Sequence, residues 1–130
     1  MVDSTLLQPL KHHRIFTDTS GESHLETVEV KQSLVDAAPP APPLHLSEFY
    51  SASRCGFYSA HSGWFGDWHP APARQFMVLL SGALDVETSD GYVVNLIPGD
   101  VLLVEDTWGK GHRSRNVGGG VCHFFVVKLT

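Results

Sequence analysis

The sequence is poor in cysteine and in long apolar runs. Cys55 and Cys122 are its two cysteines, so it has neither a disulfide framework nor a CxxC motif. We expect two free, buried thiols in a reducing compartment. The longest strictly apolar run is Phe76–Leu80, far below the roughly 20 residues of a membrane span. Residues 1–14 lack the apolar core and cleavage site of a signal peptide, so we expect a cytoplasmic protein.

Positive charge is also scarce. The 130 residues contain 9 Lys and Arg against 14 Asp and Glu, a net charge of −5. This balance argues against a nucleic-acid binder, which needs a basic stripe, and against a polybasic membrane-binding segment. A hydrophobic fraction of 42% argues against global disorder. The length fits a single domain, with N-terminal strands and a Pro-rich strap in residues 1–45 and a barrel in residues 46–130.

Helical periodicity is nearly absent, and short extended runs alternate with turn residues, which is typical of an all-β sandwich or barrel. The predicted strands are Leu25–Lys31, Leu44–Tyr50, Gly56–His61, Gln75–Ser81, Ala83–Thr88, Tyr92–Ile97, Val101–Val104, Gly111–Asn116 and Val121–Leu129. A hairpin turn is predicted at Ser89-Asp90-Gly91. The best helical candidate is Gln32–Ala38. It runs into the prolines of residues 39–43, which predict a polyproline-like strap crossing from one sheet to another.

Residues 66–112 carry the functional signal. His69 is followed by Gln75 and, after six further residues, by Gly82; Pro98-Gly99-Asp100 then precedes an apolar strand and Gly109-Lys110-Gly111-His112. This spacing resembles the cupin superfamily, in particular small single-domain cupins. The first cupin motif has the form His-x-His, three or four residues, Glu, six residues, Gly, and the second has a Pro-x-Gly-type turn followed by His. The resemblance implies an all-β double-stranded β-helix, or jelly-roll barrel, with extra N-terminal strands and little helix.

The resemblance also implies a metal site, but the ligand set is incomplete. His69 and His112 stand at histidine positions of the motifs, whereas Ala71 replaces a histidine and Gln75 replaces the glutamate. Two imidazoles and an amide oxygen leave the charge of a dication uncompensated. We therefore expect either no cofactor or a weakly held Fe, Mn, Ni or Zn ion bound by His69, Gln75 and His112. No organic cofactor is implied.

Strand periodicity groups the same residues. Side chains of equal parity share a face of a strand, so His69 and Gln75 lie on one face. The charged Arg113 and Arg115 should face outward, which turns His112 inward. The sequence therefore predicts that the three polar side chains converge in one pocket.

Further candidates lie near these positions. Phe57, Ser59 and His61 share a face, and if that face lines the lumen, His61 joins the site. The tryptophans are either core or dimer-face aromatics or walls around a planar ligand. The expected substrate-binding residues are His61, Ser59, Trp64, Trp68, Met77 and Trp108. Glu105 and Asp106 precede a turn and are interpreted as solvated loop charges.

These residues predict a small-molecule enzyme that performs acid–base chemistry on an aromatic or enolisable substrate, as an isomerase, cyclase, dehydratase or decarboxylase. His69 and His112 would be general acid and base, and Gln75 would orient the substrate. The alternatives are a metal-dependent cupin dioxygenase, in which Gln75→Glu should tighten metal binding, and a non-catalytic cupin that binds a small ligand.

We expect no nucleic-acid or membrane partner. A homodimer is expected because apolar residues on both faces of Gln75–Ser81 need cover.

Overall fold

The computed structural model describes residues 8–130, which form twelve β-strands and no helix. The predicted all-β fold class is confirmed. Residues 8–130 therefore contain no helix with the length and apolarity needed to span a membrane. The strands are β1 (Lys11–Thr17), β2 (Ser23–Glu29), β3 (Ser33–Val35), β4 (Leu44–Leu46), β5 (Ala52–Ala60), β6 (Phe65–His69), β7 (Gln75–Ser81), β8 (Leu84–Thr88), β9 (Val93–Leu96), β10 (Val101–Val104), β11 (His112–Asn116) and β12 (Cys122–Leu129).

Two main sheets form a jelly roll. The larger has the order β2-β1-β10-β7-β12-β5 and the smaller the order β6-β11-β8-β9. β1 runs parallel to β10, and the other neighbours in these sheets are antiparallel. From β5 onward the chain changes sheet at every connection except the β8–β9 hairpin, so the sheets share one core. β1 and β2 of the N-terminal segment are two of the six strands of the larger sheet.

The core lies between the two sheets because strand alternation directs one set of side chains inward. In β8, for example, Leu84, Val86 and Thr88 are buried while Asp85 and Glu87 are partly exposed. The buried apolar cluster includes Ile15, Leu79, Leu84, Val86, Leu96, Leu102, Val104, Phe124 and Val126. This closed apolar interior surrounds the cavity described below.

Strongly alternating or apolar segments match their predictions. β7 and β10 have the predicted bounds, and β8, β9, β11 and β12 agree within one residue at each end. The predicted hairpin turn joins β8 to β9, with Gly91 at a φ of 94°. The sequence pattern does not indicate β1 or β6, because β1 begins with the polar run Lys11–Arg14 and β6 carries Gly66 and Asp67. Both strands are set by pairing with neighbours distant in the chain.

The helix predicted at Gln32–Ala38 is wrong, as is the strap predicted to cross between sheets. Ser33–Val35 form β3, which pairs with β4 in a separate two-stranded sheet. Residues 36–43 reverse the chain within this hairpin, with the amide of Ala41 donating to the carbonyl of Ala38 at 2.9 Å. The proline-rich segment is therefore the turn that joins β3 to its antiparallel partner β4. β4 itself ends at Leu46, four residues before the predicted end.

The prediction of two buried thiols is half correct. Cys122 is buried in the core, whereas Cys55 is exposed. Cys55 lies on β5, which is an edge strand of the larger sheet and exposes most of its side chains. An edge strand with no neighbour on one side has less cover than an internal strand such as β12.

Candidate active site

A cavity of about 630 Å³ lies between the two sheets. Its apolar lining residues include Trp64, Met77, Leu84, Val86, Leu96, Leu102, Val104 and Phe124. Its polar lining residues are Tyr58, Ser59, His69, Gln75, His112 and Ser114. The cavity therefore brings together the three predicted site residues His69, Gln75 and His112, which come from three different strands.

The two histidines face each other across adjacent strands. His69 of β6 pairs directly with His112 of β11, and their ring centroids are 4.8 Å apart with the ring planes tilted by 56°. His112 is buried, at 8% exposure, whereas His69 is exposed at the cavity mouth. Two imidazoles at this distance can contact the same ligand atom or neighbouring atoms of one ligand.

A β-bulge determines which side chain of β6 reaches the cavity. Gly66 pairs with Ser114, but His69 pairs with His112, so β6 has one extra residue between the two pairs. Without the bulge, Trp68 would lie opposite His112. The extra residue puts His69 there instead, and Trp68 lies outside, where the guanidinium of Arg113 is 4.8 Å from its ring centroid. Bulges commonly re-aim a side chain next to a functional site.

A buried carboxylate holds the ring of His112. Nδ1 of His112 lies 2.7 Å from Oδ2 of Asp106, and Asp106 has no exposed surface. An ionised carboxylate can only accept, so Nδ1 carries the hydrogen and Nε2 is left for a ligand. The interpretation of Asp106 as a solvated loop charge is wrong.

The side-chain alternation along β10 indicates that Asp106 is buried. Leu102 and Val104 of β10 are buried, and Asp106 has the same parity two residues later. The chain keeps its extended course past β10, with the amide of Glu105 donating to the carbonyl of Ile15. The side chain of Asp106 therefore continues the buried row of β10. The sequence alone does not show that β1 extends this pairing.

Glu105 is not a solvated loop charge either. Its carboxylate accepts hydrogen bonds of 2.6 Å from Nε of Arg14 and from Nε of Arg74. Partial burial opposes ionisation of Glu105, but the two guanidinium groups outweigh it and hold the pKa of this carboxyl below its usual range. The two successive acids thus face opposite sides of the chain, one binding a histidine and the other two arginines.

His69 has the same available nitrogen as His112. Its Nδ1 lies 2.6 Å from the backbone carbonyl of Asp67, and because a carbonyl only accepts, Nδ1 must donate. In the neutral ring, Nε2 is then an acceptor. Both imidazoles of the pair therefore have Nδ1 engaged and Nε2 free for a ligand.

Gln75 contributes a buried amide to the same cavity. Its side chain is 4% exposed, and its buried Oε1 has no hydrogen-bond partner among residues 8–130. Gln75 pairs with Val104, two residues before Asp106, so the amide lies at the same end of the cavity as the histidines. A buried polar atom without a partner costs about 1–3 kcal/mol, which a ligand could recover.

Gly111 allows the two histidine strands to approach. Its φ of 73° is in the left-handed region, and a Cβ there would overlap the backbone carbonyl of His69 and the nitrogen of Pro70. Only a residue without a side chain lets the start of β11 cross directly over this peptide. Gly111, the second glycine of Gly109-Lys110-Gly111-His112, thus sets the spacing between His69 and His112.

The other predicted binding residues divide into two groups. Ser59, Trp64 and Met77 line the cavity, whereas His61, Trp68 and Trp108 do not. His61 is exposed and its Nδ1 donates to the carbonyl of Ser62 at 2.8 Å. Trp108 is 53% exposed, and its carbonyl accepts a hydrogen bond from the hydroxyl of Thr17.

The register of β5 explains the position of His61. Ala60 pairs with the buried Cys122 and Tyr58 with the buried Phe124, so the even-numbered residues face the core. Ser59 and His61 take the outer face, contrary to the expectation for His61. Ser59 lies beside the cavity, but its hydroxyl is 2.8 Å from Nδ1 of the exposed His123. Ser59 is thus committed to a partner outside the cavity.

His69 and Gln75 meet His112, from a distant part of the sequence, in one cavity between the sheets of a jelly roll. The chain has a jelly-roll fold of the kind that the resemblance to cupins implied. No family model matches the sequence, and no curated protein matches it.

Solved structures that resemble the chain include a cupin domain. The cupin domain of Schizosaccharomyces pombe Cnp3 is 12% identical, with a TM-score of 0.46, covering 99% of this chain and 88% of that one. Protein NMB1881 from Neisseria meningitidis is 16% identical, with a TM-score of 0.45, covering 65% and 88%. A putative ethanolamine utilization protein Q from Salmonella typhimurium is 17% identical, with a TM-score of 0.42, covering 94% and 95%. We take no function from these likenesses.

The residues of this site do not fit the metal that the resemblance to cupins implies. Among residues 8–130, no group of three or more His, Cys, Asp or Glu side chains is placed to hold a metal ion. His69, His112 and Gln75 offer two nitrogens and one neutral oxygen. The carboxylate of Asp106 already binds Nδ1 of His112, and Ala71 provides no ligand atom. A dication would lack the anionic ligand that such sites normally use.

Proposed function

We propose that the protein is a small-molecule enzyme that transfers protons within the cavity between its two sheets. The reaction would be of the isomerase, cyclase, dehydratase or decarboxylase type on an aromatic or enolisable substrate. The observation that carries the proposal is the contact between the fully buried Asp106 and His112, whose ring faces His69 at 4.8 Å. A carboxylate that orients an imidazole and stabilises its protonated form is the arrangement by which enzymes build a general base.

In the proposed mechanism the two imidazoles have complementary roles. Nδ1 of His112 is held by a carboxylate and Nδ1 of His69 by a backbone carbonyl, so the two rings have different surroundings and can take different roles. The neutral ring removes a proton from the substrate through Nε2, and the protonated ring donates through its own Nε2 to an oxygen that gains electrons. Asp106 stabilises the imidazolium of His112 when that ring takes the proton. When the first ring returns its proton to another substrate atom and the second ring takes its proton back from the oxygen, the isomerisation is complete without net proton consumption.

Gln75 would orient the substrate beside the two rings. Its amide is buried at the polar end of the cavity, where it can hold a substrate oxygen by a hydrogen bond. A buried, packed side chain holds such a contact with little loss of conformational entropy when the substrate binds.

The exchange of substrate hydrogens for deuterium tests this proposal directly. The neutral ketones 2-tetralone and 2-indanone have acidic hydrogens next to the carbonyl, and proton NMR in D₂O follows their loss. We expect the protein to accelerate exchange of at least one ketone. His69→Ala and His112→Ala should each reduce the acceleration by about 100- to 10,000-fold, as expected for a lost general acid or base.

His61→Ala is the matched control, because it removes an imidazole that lies outside the cavity. This variant should keep the wild-type rate. The proposal is contradicted if neither ketone exchanges faster than in buffer, or if both cavity histidines can be replaced without loss.

A further inference from the structure

We propose that the site accepts an uncharged ligand, with a mainly apolar body and one hydroxyl or carbonyl group at its end. This inference rests on the proposed function, because it concerns the same cavity, and it names the class of substrate. It follows from the charges of the cavity wall, from the partners of the nearby arginines and from the arrangement of the polar groups.

The described wall of the cavity contains no Lys, Arg, Asp or Glu. Most of its lining residues are aliphatic or aromatic. An imidazolium at His112 is already paired with the carboxylate of Asp106, 2.7 Å away. A ligand carboxylate or phosphate would therefore leave water without meeting an unpaired opposite charge. The desolvation of an unpaired ion is among the largest costs in a protein interior.

The arginines nearest the polar end are already paired. Arg74 directly precedes Gln75, but its Nε donates to Glu105 at 2.6 Å. Arg113 directly follows His112, but its guanidinium donates to both carboxylate oxygens of Glu87 at 3.0 and 3.2 Å. These are the cations that could otherwise anchor an anion, and each is held by a carboxylate on the outside of the cavity wall.

His69, Gln75 and His112, three of the six polar residues that line the cavity, lie at one of its ends. Gln75 pairs with Val104, two residues before the Asp106 that holds His112. Leu84 lies at the opposite end of β8 from Thr88, which pairs with His112, and Leu84 pairs with Leu96. The end with the two histidines and the amide is therefore more polar than the end at Leu84 and Leu96, which suits a ligand that is apolar except at one end.

The chemistry of that end selects a hydroxyl or carbonyl. His69 and His112 each present Nε2, which accepts a hydrogen bond in the neutral ring and donates one in the protonated ring. The amide of Gln75 adds a group that can donate or accept. A neutral oxygen group can satisfy these partners without bringing a charge into the cavity.

A matched pair of ligands tests the inference without requiring turnover. The probes are 2-naphthol, which is uncharged at neutral pH, and 2-naphthoate, which has the same ring system with a carboxylate. Isothermal titration calorimetry with the full chain should give a Kd for 2-naphthol that is lower by at least about tenfold, or about 1.4 kcal/mol.

A charge placed at the mouth should change this preference. Tyr58 lines the cavity and is 43% exposed, so Tyr58→Arg introduces a cation without burying it. We expect this variant to lower the Kd for 2-naphthoate by about tenfold or more relative to 2-naphthol. His61→Arg adds the same charge outside the cavity and should leave the ratio of the two constants unchanged.

The outcomes separate the inference from the proposed function. Binding of 2-naphthol in preference to 2-naphthoate, together with absent ketone exchange, supports the inference and contradicts catalysis. Equal or tighter binding of 2-naphthoate by the wild-type protein overturns the inference even if exchange is observed. Binding of neither probe, or an equal effect of Tyr58→Arg and His61→Arg on the ratio, also overturns it.

Discussion

Nδ1 of His112 lies 2.7 Å from Oδ2 of Asp106, a carboxylate that the fold removes entirely from solvent. Its second oxygen, Oδ1, is also buried and has no hydrogen-bond partner in the described chain. An ionised carboxylate in such a place is costly unless an opposite charge or a strong donor stabilises it. His112 is that donor, so the orientation of the ring and the burial of the carboxylate depend on each other.

Asp106→Asn should therefore impair catalysis more than folding. The amide is nearly the same size as the carboxylate but has no negative charge. It can also donate to Nδ1 of His112, which favours the tautomer with the hydrogen on Nε2. We expect kcat for ketone exchange to fall by about 100- to 10,000-fold, and the pH–rate profile to change. Glu105→Gln is the neighbouring control and should retain most of the rate, because Glu105 binds arginines outside the cavity. An unchanged rate and profile in a folded Asp106→Asn protein would show that Asp106 does not act through His112.

Gly111→Ala tests whether close backbone approach sets the distance between the histidines. The new Cβ would overlap the His69–Pro70 peptide in a left-handed backbone conformation, so we expect the free energy of unfolding to fall by about 2–4 kcal/mol. Gly119→Ala is the matched control, because a Cβ there has no neighbour within 4 Å. Urea unfolding measures both. Equal stability of the two variants would contradict the steric account.

His24 should make stability depend on pH. Its Nε2 lies 2.7 Å from Asp18 and its Nδ1 2.9 Å from Asp90, so the protonated ring connects β2 to the β8–β9 turn of the other sheet. The hydrogen bond to Asp18, assisted by Asp90, raises the pKa of His24 above its ordinary value of 6.5 against a smaller opposing effect of burial. The stabilisation is thus complete below pH 6.5 and is lost as the pH rises through the folded-state pKa.

Thermal unfolding between acidic and alkaline pH measures this effect. The Tm of the wild-type protein should decline across the neutral range, and His24→Gln should flatten that part of the curve. His61→Gln, which alters an exposed histidine without a carboxylate partner, should leave the curve unchanged. A His24→Gln curve parallel to wild type would refute the connection.

The sequence predicts the parts of the site that depend on local periodicity and spacing. Gln75 begins a nearly continuous apolar strand, and His112 begins a strand in which two arginines alternate with uncharged residues. Both side chains line the cavity as predicted. Side-chain alternation along β10 also indicates a buried Asp106, but its burial depends on pairing of the chain beyond the end of β10. A bulge in β6 turns His69 rather than Trp68 toward the cavity, and no local pattern indicates this bulge. The β3–β4 hairpin likewise depends on where a proline-rich turn directs the chain.

A homodimer remains our prediction for the solution state. Phe57 on the edge strand β5 is 74% exposed and packs against Phe125 at a ring-centroid distance of 5.2 Å, and an open edge with apolar side chains favours pairing. Analytical ultracentrifugation should show a dimer, and Phe57→Asp should shift it toward monomer. Tyr92→Asp, which alters an exposed aromatic residue near the other sheet, should not. A monomeric wild-type protein would contradict the prediction.

The central claim is that His69 and His112 act as one acid–base unit, and a double-mutant cycle on deuterium exchange tests it most directly. If the two rings share the proton transfer, the double variant His69→Ala/His112→Ala should exchange ketone hydrogens about as slowly as either single variant. Losses that multiply in the double variant would show that the rings act independently. Exchange at the wild-type rate in the double variant would remove the imidazoles from the mechanism altogether.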